Sequence, residues 1–123
     1  MTDGIYKLFF ELPGLPKTTN GSHGNWRAAA AERRKWRKAS TSRAYPYKPS
    51  SPLLKCRLTL TRCSTTKPDI DNLAISFKGV VDGLKDAMII HDDTDKVVIE
   101  RYYLHEKAPR NKGKICILIE EIK

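Results

Sequence analysis

The hydrophobic patterning of these 123 residues predicts an α+β fold. The expectation is a single domain in β-α-β-α-β-β order, with one mixed sheet of about four strands and helices packed on it. Three observations carry that prediction. Four stretches alternate apolar and polar residues with the two-residue period of a half-buried strand. Two others have helical character, one rich in Ala, Glu, Arg and Lys without Pro or Gly, the other with apolar residues at helical spacing. The length suits one domain that buries roughly two-thirds of its extended-chain surface, enough for a core without disulfide staples.

Taken in order, Ile5, Lys7, Phe9 and Glu11 alternate with Tyr6, Leu8, Phe10 and Leu12, a strand ended by the Pro13-Gly14 turn. Residues 16–25 are Thr-, Asn-, Gly- and Ser-rich and read as a loop. Residues 26–43 are expected to be helical. Residues 45–52 contain Pro46, Pro49 and Pro52, cannot continue that helix and form a stiff connector. Leu54, Cys56, Leu58 and Leu60 alternate with Lys55, Arg57, Thr59 and Thr61, so a second strand is expected over 53–63, with a break at 64–68. The next helix begins near Asp71 or Asn72, good capping residues. Its buried stripe is expected to be Leu73, Phe77, Val80, Val81, Leu84 and Met88, with Asp71, Ile75, Lys78 and Asp82 along another face. Residues 97–104 and 114–122 read as two further strands joined by a basic loop with Pro109 and Gly113.

The net charge is +9 and the pI about 9.6, which points to nucleic acid or an anionic membrane as partner. No stretch approaches the roughly 20 apolar residues that span a bilayer, and Asp3 stands where a signal peptide wants Lys or Arg. A cytoplasmic protein without membrane association is the expectation. Cys56, Cys63 and Cys116 lack zinc-site spacing and read as reduced core thiols, while His23, His91 and His105 match no metal motif.

The acids are unevenly placed. Seven of the fourteen lie between Asp69 and Asp95, and all are aspartates: Asp69, Asp71, Asp82, Asp86, Asp92, Asp93 and Asp95. With only Lys78 and Lys85 among them, the window carries net −5 on a basic chain. Neighbouring carboxylates repel, so a hard divalent cation is the economical source of the missing charge. In the extended approach to a helix, residues two apart project to one side, and Asp69 and Asp71 therefore converge. Pro68 keeps Lys67 extended. About 20 residues on, His91-Asp92-Asp93-Thr94-Asp95 offers a second acidic turn. Aspartate oxygens without His or Cys suit Mg²⁺, with Mn²⁺ as a substitute, and such a site polarises a phosphodiester. The ammonium of Lys78 would sit on the scissile phosphate or stabilise transition-state charge. The plain structural alternative is that each aspartate is a helix cap or a solvated turn. An EF-hand is excluded, because the required Gly and bidentate Glu are missing.

KPDIDNL, then FKGVVDGL, then IIHDDTDKVVI resembles the signature of the RusA-type Holliday junction resolvases, small metal-dependent endodeoxyribonucleases. The likeness covers residues 65–103; beyond them it extends only to length, basic charge and element order. It implies that Asp69, Asp71 and Asp93 are the catalytic metal ligands. Asp92 is a further candidate for the metal shell. The family's helix lysine corresponds to Lys78 when Ala74, Ile75 and Ser76 are read as an insertion. The implied activity is Mg²⁺-dependent resolution of four-way DNA junctions by a two-fold homodimer, without a small-molecule cofactor.

Residues 24–48 supply Arg27, Arg33, Arg34, Lys35, Arg37, Lys38, Arg43 and Lys48 against Glu32 alone, interleaved with Trp26, Trp36, Tyr45 and Tyr47. Lys67, Arg27, Arg33, Arg34, Lys35, Arg37 and Lys38 are the candidate DNA contacts, because cations neutralise phosphates and rings stack on exposed bases. Alternatively, Trp36 anchors the helix and the cations are solvated. The basic helix and its connector, residues 24–50, are expected to be mobile until DNA orders them. Two other functions compete: a noncatalytic basic nucleic-acid-binding module, and a metallonuclease that prefers flaps or single strands.

Overall fold

The computed structural model describes residues 5–17 and 26–123. Most of the expected 16–25 loop, with His23, lies outside them. The elements are β1 (Lys7–Pro13), α1 (Trp26–Ala44), β2 (Cys56–Ser64), α2 (Ile70–Ser76), α3 (Lys78–Asp86), β3 (Val98–Lys107) and β4 (Lys114–Glu121). Short 3-10 turns occupy Tyr45–Tyr47 and Arg110–Lys112. The α+β class and the β-α-β-α-β-β order hold, with the second helix divided in two.

The four strands form one mixed sheet in the order β1-β4-β2-β3. β2 and β3 are parallel, which requires a crossover, and α2 with α3 provides it. β4 then inserts antiparallel between β1 and β2. Alternation puts Phe10, Leu12, Leu58, Leu60, Ile115, Ile117 and Ile119 on one buried face, where they join Trp36, Val80 and Leu84 of the helices.

The expected continuous helix over Asp71–Met88 is interrupted at Phe77, whose backbone (φ −91°, ψ 1°) is not helical. Phe77 is fully buried and stacks on Tyr103 of β3 with ring centroids 6.2 Å apart, so core packing holds the residue at the break. Asp71, Ile75 and Lys78 are exposed, whereas Asp82 is buried against α1 and pairs with Arg33, so the four do not form one exposed face. Met88 is not in the buried stripe either. It follows α3 with φ 64°, closes the helix end through its N–H to the Lys85 carbonyl, and is exposed.

α1, the basic helix, packs against α3. Gly79 and Gly83 let α3 approach so closely that a Cβ at either would lie 2.4–2.5 Å from a carbonyl oxygen of α1, that of Arg33 or Arg37. Ser40 is fully buried and donates its hydroxyl to the Val80 carbonyl at 2.8 Å. Trp36 is buried against the core and donates from Nε1 to Glu32 at 2.8 Å, which makes it the anchor of α1 rather than a base-stacking platform. Cys56 and Cys63 are buried free thiols, and burial raises the Cys56 pKa to about 11.

Candidate active site

The parallel pairing of β2 with β3 makes β3 an edge strand, and α2 passes beside it. Two grooves meet there. One is lined by Lys67, Pro68, Asp69, Ile70, Tyr103 and His105, the other by Ile75, Phe77, Lys78, Asp93, Arg101 and Tyr103. Tyr103 belongs to both, so the grooves of Asp69 and Asp93 are neighbours along one sheet edge. Asp71 is exposed in the first turn of α2 and lines neither groove.

Local backbone explains the position of Asp69. Pro68 and the extended Asp69 (φ −61°, ψ 151°) bring the chain to the start of α2. Asp69 occupies the N-cap position, yet its side chain makes no capping hydrogen bond. A helix-cap role therefore does not account for its carboxylate.

The window's remaining charge is distributed unevenly. Asp82 pairs with Arg33 at 2.7 Å. Asp86 holds both Nε and Nη2 of Arg37, the latter at 2.9 Å. Asp92 pairs with Lys85 at 3.1 Å, and Asp95 lies 3.9 Å from Arg101. Among the described residues Asp69, Asp71 and Asp93 make no salt bridge. The fold thus pairs Asp82, Asp86 and Asp92 closely with its own cations, leaves Asp95 at the edge of Arg101's reach, and among the described residues gives no salt bridge to Asp69, Asp71 or Asp93, the three that the resemblance marks as metal ligands. The expectation that a metal must balance the whole cluster is narrowed to those three.

Electrostatics follow the pairing. The backbone N–H of Asp93 and the ammonium of Lys85 hold the Asp92 carboxyl below the usual range, and Asp92 in turn raises Lys85. Arg37 lowers Asp86 in the same way. Asp92 is already engaged by a lysine, which weakens its claim to a place in a metal shell. Arg101 donates to the Asp93 backbone carbonyl and fixes that turn to β3. His105 sits 3.1 Å from both the hydroxyl and the carbonyl oxygen of Ser64.

Of the candidate DNA contacts, Arg33 and Arg37 are committed to clamping α1 onto α3, although each remains half exposed. Arg27 lies over the exposed Trp26 ring at 5.3 Å, and Lys35 over Trp36 at 5.6 Å. Arg34, Lys38 and Lys67 are exposed and make no salt bridge among the described residues. Lys78 is exposed in the groove that also holds Asp93.

Arg101, Tyr103 and His105 escaped the sequence reading. Their spacing of two on a strand, on the face that carries the core elsewhere in the sheet, was the available signal. Among the described residues no three acidic, His or Cys side chains already converge on one point. No helix among them is long and apolar enough to cross a membrane. The chain matches no protein-family model and no curated protein.

Proposed function

We propose that this chain is a cytoplasmic, Mg²⁺-dependent endonuclease that cuts branched DNA, four-way junctions in particular, as a homodimer. The observation that carries the reading is that, among the described residues of a chain of net charge +9, Asp69, Asp71 and Asp93 make no salt bridge while the other aspartates of the window do. Exposed or half-exposed carboxylates left unbalanced beside exposed lysines form a hard-oxygen donor set, which fits Mg²⁺ and not zinc. Mn²⁺ is the natural substitute.

Asp69, Asp71 and Asp93 would hold the ion, which when bound supplies Lewis-acid polarisation of a phosphodiester. Mg²⁺ keeps several waters and takes substrate phosphate into its shell, so it does not require a preformed cage of three carboxylates. Lys78 is exposed and lines the groove of Asp93, and its ammonium would meet a phosphate oxygen and stabilise developing negative charge. Lys67, Arg34 and Lys38, which make no salt bridge among the described residues, would neutralise flanking phosphates.

A second reading is a noncatalytic basic DNA-binding module, favoured by the lack of a converged triad among the described residues. The test is cleavage of a labelled four-way junction by wild type and by Asp71→Asn, with Mg²⁺ and with EDTA. The nuclease reading expects cutting only by wild type with Mg²⁺, while Asp71→Asn still binds. Binding without cutting by wild type across several divalent ions leaves the module, and faster cutting of flaps or single strands moves the substrate class.

A further inference from the structure

We infer that the cavity between the first turns of α1 and the α2–α3 break is a slot for one unstacked DNA base, that of the nucleotide whose phosphate meets Lys78. The inference deepens the proposed function. It rests on that reading for DNA as the partner, and not for the metal or the cut.

The slot exists because α1 outruns α3. Gly79 of α3 meets α1 at the Arg33 carbonyl, where a Cβ would lie 2.4 Å from the oxygen. α1 begins seven residues earlier, at Trp26, so about 10 Å of helix extends past that contact. On the other side the chain leaves α3 at Lys78 and passes through Phe77 into α2. The space between them has a volume of about 470 Å³, the size of a small-ligand cleft.

Ala29 and Ala30 of α1 and Ile75 of α2 form its outer walls, with Trp36 and Gly79 on the core side. Ile75 is 50% exposed and Ala29 is exposed as well, so the slot opens to solvent and is not a void in the core. Trp26 precedes Ala29 and Ala30 by three and four residues and shares their face of α1. Arg33 and Ser40, seven and fourteen residues on along that face, are both bonded to α3. Trp26 is 70% exposed, with the Arg27 guanidinium 5.3 Å from its ring centroid. An aromatic ring left open on a face that is elsewhere packed extends the slot and can stack the adjoining base.

Charge selects the occupant. Lys17, Arg33 and Lys78 line the slot against Glu32, which accepts hydrogen bonds from Trp36 Nε1 at 2.8 Å and from the Lys17 N–H at 3.0 Å. Apolar walls alone suit any flat ring, whereas the cations suit one that carries an anion. Ile75 and Lys78 line both this slot and the groove of Asp93, so the two cavities share a wall. A strand with a phosphate in that groove brings its own base to the slot. Unstacking is cheapest where a base is already unpaired, so the slot favours a branch point over linear duplex.

The test is 2-aminopurine fluorescence, with the probe placed in turn at each nucleotide flanking the crossover of a four-way junction, in EDTA so that neither metal nor cutting enters. Wild type is expected to raise emission about threefold or more at one position, and to bind the junction about tenfold more tightly than linear duplex of the same sequence. Ala29→Phe, which fills the slot, and Trp26→Ala are each expected to abolish the rise and to lower the junction-over-duplex preference about tenfold, while the salt slope on duplex stays the same. Should circular dichroism show Ala29→Phe unfolded, Trp26→Ala decides alone. No rise on DNA-bound wild type, a rise that survives in the folded variants, or no DNA binding overturns the inference. Mg²⁺-dependent cutting without a rise leaves the nuclease standing and removes the slot, and a variant-sensitive rise without cutting does the reverse.

Discussion

Replacing Gly83 with Ala tests the helix-to-helix contact that holds the basic helix beside the acidic motif. The new methyl would stand 2.5 Å from the Arg37 carbonyl oxygen and 2.6 Å from Ser40 Cβ. Ordinary contact begins near about 3.5 Å, so α1 must retreat by about 1 Å. That movement opens the buried Ser40 hydroxyl bond to the Val80 carbonyl and loosens the Arg37–Asp86 pair. Overpacking costs about 1–3 kcal/mol and the lost buried hydrogen bond about 1. Alanine returns about 1 kcal/mol through helix propensity. A net loss of about 2 kcal/mol remains, or a fall of about 1 M in the urea midpoint at an m-value of about 1.5–2 kcal/mol/M. Gly79→Ala, aimed at the Arg33 carbonyl oxygen at 2.4 Å, should behave alike. An unchanged or raised midpoint for both variants would refute the close crossing of α1 and α3, and with it the fixed placement of the basic surface.

Three other outcomes follow from the same contacts. Asp86→Asn should lower stability by about 0.5–1 kcal/mol at pH 7, discounted for solvent screening of a partly exposed pair. Arg37 holds the folded Asp86 carboxyl below its ordinary value of 3.8, so this difference is fully present above pH about 4 and vanishes as pH falls through the depressed folded value; urea midpoints of both proteins from pH 7 down to 2 would show it. Met88→Gly should raise the midpoint by about 0.5–1 kcal/mol in stability, because glycine adopts φ 64° without the steric cost a side chain bears, and a midpoint below wild type would count against it. Arg34→Ala and Lys38→Ala should each reduce the slope of log affinity against log salt for DNA by about 1 with little change in folding, measured by fluorescence anisotropy.

The fold was legible because strand alternation and helical spacing are local signals, and the sheet's buried face agrees with both. The break at Phe77 was not, since it depends on a ring of β3 that meets Phe77 only in three dimensions. Nor was the docking of α1. Arg33 and Arg37 look like any exposed cations in sequence, and only the crossing with α3 reveals Asp82 and Asp86, 49 residues away, as their partners. Residue type and spacing singled out Asp69 and Asp71 as candidates, but not that Asp69 lines a groove beside β3 while Asp71 lines neither groove there. Which aspartates the protein neutralises by itself was not, because Lys85 and Arg101 reach Asp92 and Asp95 through tertiary geometry.

In the proposed nuclease, Asp69, Asp71 and Asp93 keep their charge available for a divalent ion. Mn²⁺ binding followed by electron paramagnetic resonance reads this without reference to DNA. Wild type should bind in a way that Asp69→Asn, Asp71→Asn and Asp93→Asn each weaken at least about tenfold, whereas Asp95→Asn, an exposed side chain 3.9 Å from Arg101, leaves it unchanged. Equal Mn²⁺ binding by all five proteins, or none by wild type at millimolar ion, would contradict the account.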